Sequence, residues 1–135
     1  DRDVRVGAEA TGRLGLVPIG QALLDQRNLA GIGALYQSET LFLSAVHPHT
    51  RVGDLGGADA LVAIARRAQQ LMFANREHPE QSTTGMMARG RRTYVYEREG
   101  RPCRRCRTPI LRGLSGPVGR ERPSYWCPAC QPPRG

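Results

Sequence analysis

Residues 103–130, CRRCRTPILRGLSGPVGRERPSYWCPAC, hold all four cysteines of the chain in two C-x-x-C pairs, Cys103/Cys106 and Cys127/Cys130, with twenty residues between the inner two. Each pair fits one tight knuckle, and two facing knuckles supply four sulfurs in a tetrahedron, the arrangement a structural Zn(II) requires. Two disulfides would use the same cysteines, but no basic-then-apolar leader accompanies them, so metal is the expected use. A redox C-x-x-C would open a helix after a strand, and neither pair has that context. With four cysteine ligands no coordination position is left open, so the expected zinc is structural.

The intervening residues 107–126 are broken by Gly113, Gly116, Pro117 and Gly119 and flanked by β-formers, which predicts a β-hairpin. Its core material is limited to Ile110, Leu111, Leu114, Val118, Tyr125 and Trp126. So small a set cannot fold the segment unaided, and metal ligation, about 10 kcal/mol in such modules, is expected to fold it. Just upstream, residues 94–98, YVYER, alternate and predict a strand entering the first knuckle.

The charge lies at the same end. All 20 basic residues are arginine. Residues 1–88 carry 8 arginines against 9 acids, whereas residues 89–135 carry 12 against 3 and so a net charge of +9. Arginine suits bidentate phosphate contact, and no amphipathic apolar stripe accompanies the charge, so nucleic acid is expected over membrane lipid. No run approaches the roughly 20 apolar residues of a membrane span, and a soluble, cytoplasmic protein is expected. The chain begins at Asp1 without methionine, which suggests a fragment or a processed product.

Three parts are expected: a linker or tail over 1–17, with a short strand at 4–6; a helical unit over 18–88; and the zinc hairpin over 89–135. Pro18 opens a first helix with Ile19, Ala22, Leu23 and Gln26 on one face, ending near Arg27. After the turn containing Gly31 and Gly33, a second helix is expected from Gly33 to about Ala45, closed by His47, Pro48 and His49. The turn is either a close-packing device or, because a helix begins there, a phosphate site. A third helix is expected from Ala58 to Asn75, with Leu61, Ile64, Ala68 and Leu71 repeating at the helical period. Residues 76–93 read as a surface loop or hinge in which Met86 and Met87 pack. His47, His49 and His78 lie in loops at helix ends without a carboxylate or cysteine in register, which argues against a catalytic or ligand role.

Two segments carry a resemblance. Residues 18–42, PIGQALLDQRNLAGIGALYQSETLF, resemble the helix-two-turn-helix segment of the formamidopyrimidine-DNA glycosylase/endonuclease VIII family. Residues 95–106, VYEREGRPCRRC, with 122–131, RPSYWCPACQ, resemble that family's zinc finger, in wording closer to the endonuclease VIII branch. The resemblance implies a mainly α helix-two-turn-helix domain followed by a small zinc β-hairpin. It implies a base-excision repair glycosylase with abasic-site lyase activity on oxidised bases, working as a monomer on DNA. Arg122, five residues before Cys127, falls at the family's phosphate-contacting hairpin arginine, and Gln26, Gly31, Gly33 and Tyr36 fall in the DNA-contacting turn. Ala34 stands where the family commonly has asparagine. The family's catalytic N-terminal proline and glutamate, on a separate domain, have no counterpart here, and without lysine the chain has no alternative amine for a Schiff base. The chain is therefore expected to bind DNA and not to cut it. Spacing alone would also suit a non-enzymatic zinc-ribbon adaptor.

Overall fold

The computed structural model describes residues 14–25, 33–77 and 80–133. Gln26, Arg27, Gly31, His78 and the expected strand at 4–6 lie outside the described residues. Three α-helices, α1 (Ile19–Leu24), α2 (Ala34–Leu43) and α3 (Ala58–Ala74), precede an antiparallel hairpin of β1 (Leu111–Ser115) and β2 (Arg122–Trp126). Short 3₁₀ turns at Leu14–Leu16 and Val52–Asp54 pack on each other. No helix among the described residues is long and apolar enough to cross a membrane.

The order of elements and the helix-then-hairpin architecture follow the sequence expectation, with instructive differences. The second helix does not run to Ala45 or wait for Pro48. It stops at Leu43, where Ala45 turns left-handed (φ 58°), Val46 N–H reaches back to Leu41 O at 3.0 Å and Ala45 N–H to Phe42 O at 3.1 Å. That pair of bonds is a Schellman closure, which satisfies the last carbonyls without any proline. The third helix ends at Ala74 with Asn75 as its cap.

α2 lies between two apolar clusters. Tyr36 and Leu41 join Ile19, Leu23, Val52, Leu61, Ile64 and Ala68 in the helical core, while Phe42 joins Val95, Cys103, Ile110, Tyr125 and Cys127 in the hairpin core. Burial on every side explains why Gln37, Ser38, Glu39 and Thr40 are all at 0–1% exposure. Buried polar groups need partners, and Gln37, Ser38 and Glu39 find them in the hairpin module, whereas the Thr40 hydroxyl has none among the described residues.

Glu39 settles the fate of residues 94–98. They form no strand. The Glu39 carboxylate accepts the N–H of Tyr94 (2.8 Å), Val95 (2.8 Å) and Tyr96 (3.0 Å), together with the Thr83 hydroxyl. Three consecutive N–H groups converging on one carboxylate require a turn, and Glu97 duly adopts φ 57°. The hairpin's core is also smaller than the sequence suggests. Ile110, Tyr125 and Trp126 are buried, but Leu111 and Leu114, on opposite faces of β1, are 45% and 53% exposed, and Val118, in the hairpin tip, is 97% exposed. Met86 and Met87 do not pack in the 80–93 loop; they stand about half exposed at its tip. The loop is held instead by Asn75, which bonds Ser82 at both amide atoms, and by Thr83 N–H to Arg92 O at 2.9 Å.

Candidate metal centre and nucleic-acid interface

The four cysteine sulfurs lie within 4.8 Å of one another. Separations of 3.4 Å (Cys106 to Cys127), 3.6 Å (Cys106 to Cys130) and 3.9 Å (Cys103 to Cys130) bracket the edge of about 3.8 Å for a tetrahedron of sulfurs at metal–sulfur distances of about 2.3 Å. They are far beyond the ~2.05 Å of a disulfide, and all four cysteines are free. The donor set therefore fits one metal ion held by Cys103, Cys106, Cys127 and Cys130.

The knuckles are built locally. Arg107 turns left-handed (φ 71°), letting its N–H reach Cys103 O at 2.9 Å while Cys103 N–H reaches Thr108 O at 2.8 Å. Backbone N–H groups of Arg105 and Cys130 point at the sulfurs of Cys103 and Cys127, each at 3.4 Å, the contacts that stabilise a thiolate. Hydrogen bonding to Thr108 draws the exposed Cys106 thiol down to about 6, whereas burial pushes Cys127 up and Cys130 up to about 12. Crowded sulfurs resist multiple negative charges unless a cation shares them. The second knuckle is fixed by Gln131, fully buried, whose Oε1 accepts Cys127 N–H at 2.9 Å and whose Nε2 donates to Val46 O at 2.8 Å.

The basic end sorts into two kinds of arginine. Arg98 donates to Tyr94 O and Pro102 O, Arg104 to Thr93 O and Gly90 O, and Arg92 to Met87 O and the Glu80 carboxylate. Arg105 lies 4.8 Å over the Phe42 ring. These side chains hold the module together. Arg122 belongs with Arg112 and Arg120 to the second kind: their side chains are exposed and make no hydrogen bond or ion pair among the described residues. Arg122 begins β2 opposite Ser115, and with Arg120 and Pro117 it lines an open groove of about 870 Å³ whose other wall is Gln21, Leu24 and Asp25 at the end of α1. Glu121, on the same groove, accepts Gly119 N–H at 2.9 Å within the hairpin tip.

Gly33 caps α2 with no side-chain hydrogen bond, and a Cβ built there would meet nothing within 4 Å. No side chain among the described residues caps the first N–H groups of α2, which leaves them available to an anion. Tyr36 is only 7% exposed, packed in the helical core, and burial raises its phenol pKa. Gln26 and Gly31 lie outside the described residues. The sequence reading passed over Gln37, Glu39 and Gln131, although the unbroken polar run QSET inside a helix was the available signal.

A helical unit joined to a four-cysteine hairpin, with a glycine at the start of α2 and exposed arginines on the hairpin, defines a helix-two-turn-helix and zinc-finger class of fold. Residues 15–86 match the formamidopyrimidine-DNA glycosylase H2TH domain, and the chain belongs to that family. It is 50% identical over 113 residues to a probable endonuclease 8 2 of Streptomyces coelicolor, covering 84% of this chain and 40% of that protein. It is 43% identical over 114 residues to the DNA-(apurinic or apyrimidinic site) lyase Nei2 of Mycolicibacterium smegmatis, covering 84% and 42%. The fold matches that of Lactococcus lactis Fpg (MutM), solved with a FAPY-dG containing DNA, at TM-score 0.67 and 26% identity, over 87% of this chain and 43% of that one. The chain spans about two fifths of the length of the curated relatives it matches.

Proposed function

We propose that this chain is the DNA-gripping half of a base-excision repair glycosylase and abasic-site lyase of the endonuclease VIII branch, acting on oxidised bases. The observation that carries the reading is Arg122, its side chain exposed and unbonded on an open groove, on a chain whose α2 start at Gly33 carries no side-chain cap. Arg122 and the turn of Gln26, Gly31 and Gly33 hold phosphates on either side of an extruded nucleotide, contacts that position the duplex without reading its sequence. Tyr36, in the first turn of α2, is packed in the helical core. Chemistry belongs to a catalytic domain outside residues 1–135, and the chain works on DNA as a monomer.

The ion held by the four cysteines is zinc. When bound it cross-links the two knuckles and carries no reaction step. The residues of this chain do the rest: Thr108, Arg105 N–H and Cys130 N–H steady the sulfurs, and Gln131 fastens the second knuckle to the end of α2.

The test is titration of the metal-loaded chain with a duplex carrying an abasic-site analogue at fixed moderate salt. Arg122→Ala is expected to weaken binding by about 1–3 kcal/mol with unchanged zinc content, as for one charge-assisted contact. Unaltered affinity would remove Arg122 from the interface and the reading with it.

A further inference from the structure

We infer that Gln37 is a positioning residue for the phosphate grip, one that sets the distance between Gly33 and Arg122; the inference rests on the DNA-binding reading above. Gln37 is bonded to both sides of the proposed contact. Its own N–H donates to Gly33 O at 2.9 Å, the first helical bond of α2. Its side-chain amide donates to Ser124 Oγ at 3.1 Å on β2 and to Ser115 Oγ at 3.4 Å on β1, and Ser124 Oγ lies 3.3 Å from Oε1.

The strand register makes those two serines the relevant neighbours. Ser115 stands directly opposite Arg122, and Ser124 follows Arg122 by two residues, so all three share one face of the hairpin. The network continues through Ser38, whose hydroxyl donates to Gln37 Oε1 at 3.0 Å and accepts Tyr125 N–H at 3.0 Å.

Space is reserved for this amide. A Cβ at Gly20 would lie 2.6 Å from Gln37 Nε2 and 2.7 Å from Ser115 Oγ, so α1 carries no side chain there. A fully buried amide is costly unless its bonds are met, and here one position of the hairpin on α2 meets them. An apolar contact at the same place would hold the hairpin on α2 but tolerate sliding. The amide therefore specifies where the hairpin sits, and Arg122 is the exposed charge that its position places.

The experiment compares Gln37→Met, Arg122→Ala and the double variant in the zinc-loaded 135-residue chain, titrated with the abasic-analogue duplex over a range of salt. Methionine keeps the length and loses the hydrogen bonds. Gln37→Met is expected to retain zinc, to bind about three- to tenfold more weakly, and to lower the slope of log affinity against log salt by about 0.9, one phosphate contact. The double variant is expected to bind no more weakly than Arg122→Ala, because both remove the same contact. Wild-type affinity in Gln37→Met, an unchanged salt slope, or losses that multiply in the double variant would overturn the inference while leaving the DNA reading standing. An Arg122→Ala variant that binds as wild type would overturn both. Should Gln37→Met fail to hold zinc, Ser115→Ala and Ser124→Ala, each removing one partner of the amide, carry the same comparison under the same criteria.

Discussion

Glu39 and Val95 meet where neither is exposed: the carboxylate in the middle of α2 accepts the Val95 N–H at 2.8 Å, with both residues at 0% exposure. With Tyr94 and Tyr96 beside it, this one side chain shapes the segment that leads into the first cysteine knuckle. Glu39→Gln keeps the shape but turns an NH₂ group toward N–H donors that need an acceptor. A loss of about 2–4 kcal/mol in unfolding free energy is expected, read by denaturant titration of the zinc-loaded chain. A change under ~0.5 kcal/mol would mean the segment folds without its carboxylate.

Two glycines of the helical unit should respond oppositely. Gly20→Ala drives a methyl to within 2.9 Å of Pro48 O as well as into Gln37 and Ser115, so destabilisation of about 1–3 kcal/mol is expected in thermal unfolding. Gly33→Ala meets open space at φ −103°, so the melting temperature should hold while affinity for abasic-analogue DNA falls. Equal melting temperatures for both variants would contradict the packing described around Gly20.

Ala45 and Arg107 adopt left-handed backbone with side chains attached, one closing α2 and the other closing a knuckle. Replacing either by glycine relieves a strain of about 1–2 kcal/mol, offset by roughly 0.5–1 kcal/mol of extra unfolded-state entropy. Ala45→Gly and Arg107→Gly are each expected to raise stability by a few tenths to about 1 kcal/mol, measured by chemical denaturation.

His47 gives the fold a dependence on pH. Its Nδ1 accepts His49 N–H at 3.0 Å, which only the unprotonated ring can do, and burial followed by the His49 charge lowers its pKa. The unfolded chain then binds the proton more readily than the folded one, so this contribution is present above the ordinary histidine range and is lost as pH falls through it. Melting temperature should decline from pH 7 to pH 5.5, and His47→Phe should flatten that decline. An equally steep decline in the variant would assign it to other groups.

The helices, the hairpin and the four-cysteine cluster were legible because each leaves a local mark: Leu61, Ile64 and Ala68 at the helical period, glycines at a turn, paired cysteines at knuckle spacing. What stayed hidden depends on contacts between distant parts of the chain. YVYER has the alternation of a strand, yet its N–H groups are taken by Glu39, some 55 residues earlier. Leu111 and Leu114 have core composition, yet they stand on opposite faces of the hairpin and both are about half exposed. Gln37 reads as a surface residue until α2 is found to be enclosed on all sides. Arg122 entered through a family resemblance, and its freedom from internal hydrogen bonds is visible only when Arg92, Arg98 and Arg104 are seen to be occupied.

Leu41 and Phe42 are adjacent in the chain yet belong to different apolar clusters, one helical and one built around the cysteines. A helix shared in this way makes the two modules thermodynamic partners. Stripping the ion would deprive Phe42 of its cover and loosen α2 from the hairpin's side, so the chain should melt as one cooperative unit whose temperature tracks metal occupancy.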